Sequence, residues 1–236
     1  MKTNSGTITK KSKSITNQAA PTLLSLTLMT AALTGQAQEN RFYVKADAGG
    51  TTARDVQLRD FFGQAIAPNT KISLDPGIRL GIRGGYGLTD WLDTEIETGI
   101  TANSIDSITG ATVSDGSLAN IPLLFNLRLH TPEQYRLSAY FGGGVGFAST
   151  VLSGDDLVIG GTKFDGTAAD AVFAYQGFAG LRFAITDRMG VSLEYHYLRA
   201  EASSMSADLI VGVTSDRVKL GRTETHSISA GVDFRF

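Results

Sequence analysis

The stretch HSISAGVDFRF, residues 226–236, alternates between apolar and polar side chains to the end of the chain. Successive side chains of a β-strand point to opposite faces. One face of this predicted strand carries Ile228, Ala230, Val232, Phe234 and Phe236, and the other carries Ser229, Gly231, Asp233 and Arg235. Aromatic residues on one face and charges on the other are typical of a transmembrane strand, which turns apolar side chains to lipid and polar ones inward. A half-buried strand of a soluble sheet also alternates, so the rest of the chain decides between the two.

The same alternation recurs in seven further segments. The eight predicted strands cover 42–48, 77–86, 92–100, 120–129, 137–147, 173–185, 191–197 and 226–236. A tilted strand of about 9–11 residues crosses the hydrocarbon core of a bilayer. Eight such segments in succession predict an all-β protein, a closed up-and-down antiparallel transmembrane β-barrel of eight strands.

The connections between these segments alternate in length. Long ones cover 54–73, 103–116, 151–169 and 201–221, and short ones cover 87–91, 130–135 and 186–190. Outer-membrane barrels have short periplasmic turns and long extracellular loops. The pattern therefore predicts four extracellular loops and two periplasmic termini. A proline at position 122 cannot donate to a strand ladder, so a bulge or a late strand start is predicted there.

The first 37 residues have the features of a secretory signal peptide. Four lysines, at positions 2, 10, 11 and 13, precede an apolar stretch from about Ala19 to Leu33, and Gly35–Ala37 supplies small residues for cleavage. The apolar stretch is shorter than the ~20 residues that a membrane-spanning helix needs. We therefore predict a signal peptide at 1–37 and a barrel domain at 38–236.

Charge and cysteine content exclude several classes of function. Removing the four lysines of the signal leaves 17 basic and 23 acidic residues, a net charge of −6. A nucleic-acid-binding protein is expected to carry a basic patch, so nucleic acid is not a predicted partner. The chain has no cysteine, which excludes disulfides and thiolate metal sites.

The predicted inner faces carry matched charges. Six acids and six bases alternate with the apolar residues, together with one histidine: Lys45, Asp47, Arg79, Arg83, Asp93, Glu95, Glu97, Arg128, Arg182, Glu194, His196, Asp233 and Arg235. An eight-stranded barrel is just wide enough to be filled by its own side chains. We therefore predict an internal ion-pair network. A turn centred on Thr89 pairs Arg83 with Glu95, and one centred on Arg188 pairs Arg182 with Glu194.

Candidate catalytic and metal-binding groups are few. A lipid deacylase needs a histidine and a serine two positions apart, but position 228, two after His226, is isoleucine. His196 and the acidic row of strand three are better explained as members of the internal network. Asp155, Asp156 and Asp165 match no calcium-loop spacing. We predict no catalytic residue, no cofactor and no metal site.

Several motifs carry a resemblance to a known family. They are GGYGLTDW at 84–91, IPLL at 121–124, AYFGGGVG at 139–146, GLRFAITD at 180–187, LEYHY at 193–197 and the terminal Phe236. Over the whole mature chain, the sequence resembles the small eight-stranded outer-membrane β-barrels of the OmpX and OmpA-barrel kind, the "porin family" of Gram-negative cell envelopes. The resemblance implies that Phe236 is an assembly signal for the barrel-assembly machinery. It specifies architecture better than function, because such barrels host many activities.

Three functional hypotheses remain open at this point. The first is a non-enzymatic barrel that stabilises the envelope or contacts partners, namely membrane lipid, lipopolysaccharide and an extracellular protein, through its loops. The second is a small passive pore, and the third is a lipid-modifying enzyme. Apolar runs at 61–62, 157–159 and 209–213 predict either strand extensions beyond the membrane or a contact surface. A rival fold, a soluble lipocalin-type barrel, places the apolar faces inside and the charged faces outside.

Overall fold

The computed structural model describes residues 41–63, 66–110, 115–132, 136–159, 162–206 and 217–236, with backbone alone at 155–159 and 162–163. The predicted signal peptide and the apolar run at 209–213 lie outside these residues. The strands are β1 (Phe42–Ala53), β2 (Val56–Phe61), β3 (Lys71–Leu74), β4 (Gly77–Gly87), β5 (Leu92–Ile108), β6 (Asp115–His130), β7 (Leu137–Ile159), β8 (Thr162–Ala184), β9 (Met189–Ala200), β10 (Ser203–Ser206), β11 (Arg217–Leu220) and β12 (Thr223–Arg235). Within the described ranges, no helix is long and apolar enough to cross a membrane.

The long strands pair antiparallel with their neighbours in sequence. β4 pairs with β5, and the pairings continue in chain order through β6, β7, β8 and β9. β9 then pairs with β12, β12 with β1, and β1 with β4. The path of hydrogen-bonded neighbours thus returns to its start. All eight predicted segments lie in these long strands, except that Ile185 and Phe236 follow the last residues of β8 and β12.

Four short strands lie in connections that the sequence pattern predicts as loops. The described residues therefore contain twelve strands where eight are predicted. β11 pairs with both β10 and β2, β2 pairs with β3, and β3 pairs with β5. β10 joins β8 through Ser206 and Ala169. Sequence periodicity misses these strands because each has only four to six residues.

The long connection predicted at 151–169 is built as a hairpin of two extended strands. β7 runs to Ile159 and β8 starts at Thr162, so each has 23 residues. This is about twice the 9–11 residues that a tilted strand needs to cross the bilayer core. The outer ends of these strands therefore project beyond a membrane, which agrees with the strand-extension reading of the long connections.

Pro122 lies inside a regular strand, so the predicted bulge or late start is wrong. β6 begins at Asp115, and Pro122 pairs with Ala148 of β7. On the other side, the register passes from Thr98↔Leu123 to Thr101↔Asn120 without a shift. The ladder breaks for two positions at the residue that lacks an N–H, and it resumes in the same register.

The faces of the long strands are divided by polarity. Apolar side chains such as Ile96, Leu123 and Phe147 are about 60% exposed on the outside, whereas the charged side chains between them are buried. A soluble lipocalin-type barrel has the opposite arrangement. The outer face is that of a surface in contact with lipid, which covers apolar side chains in place of water.

Candidate functional site

The predicted inward-facing charges meet inside the molecule. Twelve of the thirteen side chains are buried, and Arg235, near the end of β12, is half-buried. Their common position follows from strand parity, since each alternates with an exposed apolar residue. The structure thus brings together the whole predicted set.

Arg83 of β4 is the centre of the network. Its guanidinium is bidentate on the Glu194 carboxylate, with Nη1 3.1 Å from Oε2 and Nη2 donating to Oε1. Its Nε lies 3.2 Å from Glu97 Oε2, and its remaining ion pairs reach Glu95 at 3.5 Å and Asp47 at 3.6 Å. A planar guanidinium suits this role because its donors diverge in fixed directions.

Lys45 and Arg79 share acids with Arg83, and Arg128 and Arg182 bind two further acids. Lys45 Nζ lies 2.9 Å from Glu194 Oε2. Arg79 bridges two acids, with its Nε 3.1 Å from Asp47 Oδ2 and its Nη2 2.5 Å from Glu97 Oε1. Two further pairs lie nearer the short turns. Arg128 Nε is 2.8 Å from Asp93 Oδ2, and Arg182 Nη2 is 2.7 Å from Asp233 Oδ2. Charges buried this deeply are stable only when paired and hydrogen-bonded.

The predicted register of two hairpins is wrong by one turn position each, although Arg83 still forms an ion pair with its predicted partner Glu95, at 3.5 Å. Arg83 stands opposite Glu97, because the first short turn centres on Asp90 and not Thr89. Arg182 stands opposite Ser192 and binds Asp233 of β12, because the turn before β9 centres on Asp187. Moving a hairpin centre by one residue moves every partner by two, so the faces stay the same and the pairs change.

Neutral side chains complete the network. Tyr43 donates to Glu95 Oε1 at 2.5 Å, and Lys45 donates to Tyr140 Oη at 2.9 Å. Asn126 and Gln176 both donate to Glu97 Oε2. The prediction of the network rests on charged residues, so it omits these four. Tyr43, Asn126 and Gln176 have the same parity as the charges on their own strands, and Tyr140 has the parity of the buried Ser138; this parity is the signal that finds them.

Aromatic rings separate the charges and fill the interior. The guanidinium carbon of Arg83 lies 4.9 Å from the Phe178 ring centre, and that of Arg128 lies 4.7 Å from Tyr43 and 5.2 Å from Tyr140. Two glycines make room for these rings. A Cβ at position 85 would lie 2.1 Å from Tyr43 Cζ, and one at 180 would lie 2.6 Å from Tyr140 Oη.

His196 belongs to the network and is buried, and its Nε2 contacts Glu194 Oε1. Asp47, Glu194 and His196 offer three possible metal-ligand atoms within 4.8 Å of one another. The Arg83 guanidinium lies against all three residues, 3.3 Å from His196 Nε2 and 3.6 Å from Asp47 Oδ1. It already supplies the positive charge that a metal ion would bring, so the arrangement is that of an ion-paired cluster.

Toward the ends of the long strands that lie away from the short turns, the inward-facing side chains are apolar and form a core. Fourteen buried residues form it: Val56, Leu58, Phe61, Phe62, Ile72, Ile105, Ile108, Leu118, Leu152, Phe164, Ala168, Met205, Val218 and Leu220. The short strands β2, β3, β10 and β11 supply one part, and the outer ends of β5 to β8 supply the other. We call this cluster the apolar cap.

The end of the chain is fixed against its first strand. Phe236 N donates to Phe42 O at 2.9 Å, and the Phe236 side chain is exposed. Its ring packs 5.1 Å from Phe234, and Phe42 packs 4.6 Å from Tyr86. Phe42, Phe234 and Phe236 are exposed and Tyr86 is partly buried, and all four rings lie at the end of the molecule where the short turns lie. Amphipathic aromatic girdles occupy such positions at membrane interfaces.

The remaining candidate residues stand apart from one another. Asp165 is exposed on β8, and the side chains of Asp155 and Asp156 lie outside the described residues. His226 Nδ1 is 2.7 Å from Tyr195 Oη on the outer wall. His130 Nε2 contacts Asp93 Oδ1 at 3.3 Å beside a short turn.

Comparisons with known proteins agree with this architecture. A family model described as "Outer membrane protein beta-barrel domain" matches residues 20–236. The crystal structure of Neisserial surface protein A is similar at 17% identity, with a TM-score of 0.51 over 83% of this chain and 97% of that chain. OprG from Pseudomonas aeruginosa is similar at 16% identity, with a TM-score of 0.53 over 84% of this chain and 97% of that one. No curated protein sequence matches the chain.

Proposed function

Because the chain belongs to the outer membrane protein β-barrel family, we propose that it is a non-enzymatic, closed eight-stranded barrel that acts through its extracellular part. The long strands cross the outer membrane, and the short turns and both termini face the periplasm. The extracellular hairpins and short strands contact lipopolysaccharide and other cell-surface partners. The pairing circuit of the eight long strands supports the closed barrel.

The observation that carries this proposal is the filled interior. Charged and aromatic side chains occupy the membrane-spanning part, and the apolar cap lies above them. Ion-paired side chains buried at this depth hold one another in place, so they leave little freedom for a water-filled path. A rigid, plugged barrel presents its outer surface to partners and keeps solutes out.

A non-enzymatic role is supported by the contacts that the candidate acid and base side chains already make. In the described residues, the interior carboxylates are held in ion pairs by arginine and lysine. A general base must have a free reaction site within hydrogen-bond reach. His226 contacts Tyr195, with Ile228 two positions further on. Mass spectrometry of lipid A from cells with and without the gene tests this part, and a changed acylation pattern would show an enzyme.

Single-channel recording is the main experiment. We expect no stable conductance from the purified, refolded protein in planar bilayers. The alternative function, a small passive pore, is favoured by the polar lining, and steady channel openings would establish it and remove the plugged-barrel proposal. A variant without β2, which supplies Val56, Leu58 and Phe61 to the apolar cap, is the control, since it tests whether the charged layer alone closes the path.

Export and assembly are proposed from the two ends of the sequence. We expect the mature protein to begin at Gln38, which intact-mass measurement of the outer-membrane form checks. Phe236 is proposed as the assembly signal, so Phe236→Ala should lower the folded fraction in the outer membrane several-fold. Leu137→Ala, another exposed residue near a short turn, is the matched control. Equal amounts of both variants would contradict a special role for Phe236.

A further inference from the structure

The outer wall formed by β1, β12 and β9 changes composition step by step toward its extracellular end. The register places Ala48, Ala230 and Leu193 in one row, followed by a row of Gly50, Ile228 and Tyr195. The next row holds Thr52, His226 and Tyr197, and the row above it holds Glu224 and Arg199. Apolar, aromatic and charged rows in this order mark the passage from hydrocarbon to headgroups.

Three arginines converge at the charged row. Glu224 accepts from Arg54 Nη1 at 3.1 Å, lies 3.3 Å from Arg222 Nε and lies 3.6 Å from Arg199 Nη1. Arg199 Nε is also 3.4 Å from Glu201. Two carboxylates cannot neutralise three guanidinium groups. Arg54 and Arg222 are 72% and 59% exposed, so each has donors that face outward.

A cavity of about 510 Å³ opens between this cluster and the short strands. Arg59 of β2 and Lys71 of β3 line it together with Arg54 and Arg222. Among its described lining residues, these four bases face three acids, and Arg199 adds a fifth base beside Glu224. Backbone hydrogen bonds from Arg54 N to Glu224 O (3.0 Å) and from Gly221 N to Gln57 O (2.7 Å) fix its walls. The cavity is large enough for a phosphorylated sugar.

A groove of about 360 Å³ lies directly below, on the lipid-facing side. Gly50 and Gly77 contribute no side chain to its lining, and Tyr195, His226 and Ile228 form its walls. A Cβ added at position 50 would meet no atom within 4 Å, so the space over this glycine is open. Tyrosine and histidine offer hydrogen bonds to sugar hydroxyls, and Ile228 offers an apolar surface to acyl chains.

We propose that this cavity and groove bind one outer-leaflet glycolipid, with its phosphate among Arg54, Arg222 and Lys71 and its acyl chains beside Ile228. Guanidinium groups bind phosphate oxygens through paired, charge-assisted hydrogen bonds. The position of the cluster, directly above a lipid-covered wall, places the phosphate at headgroup level. The inference rests on the proposed function for its orientation, because it needs the long connections to face outward.

The binding test uses the full-length mature protein, folded in detergent. Native mass spectrometry follows titration with bisphosphoryl lipid A and, separately, with uncharged digalactosyldiacylglycerol. We expect lipid A adducts to form at least about tenfold more readily than the galactolipid adducts. Inorganic phosphate at millimolar concentration should leave the lipid A adduct in place, and displacement by phosphate alone would identify a free-phosphate site and overturn the lipid assignment.

One variant that is expected to weaken binding and one that is expected to strengthen it together separate a loss of binding from misfolding. Arg54→Gln with Arg222→Gln should weaken lipid A binding about tenfold, because two phosphate donors lose their charge. Glu201→Gln should strengthen it about two- to threefold by removing a competing carboxylate. Lys219→Gln is the matched control: it is a half-exposed base paired with Asp60 at 3.4 Å and is not part of the cavity lining. A gel shift between unheated and boiled samples reports folding in each case.

Equal lipid A affinity in all four proteins would overturn the proposal. The result is independent of the conductance experiment above. A protein that forms channels can still bind lipid A through these arginines, and a plugged barrel can lack the site. Failure of one claim is thus distinguishable from failure of the other.

Discussion

The inward-facing side chains are charged in one half of the molecule and apolar in the other. In the membrane-spanning half, the inward side chains of β5 are Asp93, Glu95 and Glu97, and its outward Ile96 is exposed. In the other half of the same strand, which we propose to be the extracellular half, Ile105 and Ile108 are buried and Ser104 is exposed. One continuous strand therefore reverses its polarity along its length.

The reversal follows from the solvent. Lipid covers the outer face of the lower half, so apolar side chains lie there and polar ones must satisfy one another inside. Water covers the outer face of the upper half, so the hydrophobic effect drives apolar side chains inward, as in a soluble domain. The same backbone ladder serves both halves, because strand alternation provides two faces without deciding which solvent each one meets.

The largest expected effect comes from breaking the charged layer. Arg83→Met should lower the free energy of unfolding by about 3–5 kcal/mol, because four buried carboxylates lose a common partner. Urea unfolding in lipid vesicles, followed by the fluorescence of Trp91, the single tryptophan, measures it. Arg188→Met, an exposed arginine of a short turn, is the control. Equal stability of the two variants would mean that the network contributes nothing.

Weakening the apolar cap should unfold only the half of the molecule that contains it. Phe61→Ala removes a fully buried ring that packs 4.8 Å from Phe62 and should cost about 3–5 kcal/mol in the extracellular half. We expect new protease cleavage sites outside the membrane, with the membrane-spanning half protected. Phe147→Ala, on the lipid-facing side of β7, is the matched control. Loss of the whole fold on Phe61→Ala would show that the two halves are one cooperative unit.

A charge placed on the outer face tests the solvent boundary directly. Leu123→Lys, on the lipid face, should cost about 2–4 kcal/mol near the bilayer midplane. Ser104→Lys, on the outer face of the extracellular half, should change stability by less than about 0.5 kcal/mol. Unfolding in vesicles compares the two. Similar costs at both positions would refute the difference in solvent on which the comparison depends.

The smallest effect is expected at an exposed ion pair. Lys219 lies 3.4 Å from Asp60 in the extracellular half, with about half of its side chain in water. Lys219→Gln should change the free energy of unfolding by less than about 1 kcal/mol, since solvent screens such pairs. Urea unfolding at low and high salt checks this. A loss comparable to that of Arg83→Met would contradict the role of burial.

The sequence predicted the long strands well because their evidence is local. Alternation of apolar and polar residues requires only a strand and two different environments, and twelve of the thirteen residues that it predicts to face inward are buried in the structure. The short strands β2, β3, β10 and β11 have too few residues for a periodic signal, so only their pairing with distant strands defines them. The apolar run at 61–62 was recognisable in sequence, but its packing against Phe164 was not.

By itself, then, the sequence determined which face of each long strand is apolar, because side-chain parity is a property of the strand alone. The tertiary structure decided which charges meet. Arg83 binds Glu194 of β9, far away in sequence, and the turn centres at Asp90 and Asp187 set which residues stand opposite Arg83 and Arg182. A shift of one residue in a turn preserves the faces and changes every pair of that hairpin, so partner identity depends on how the strands pair in the folded sheet.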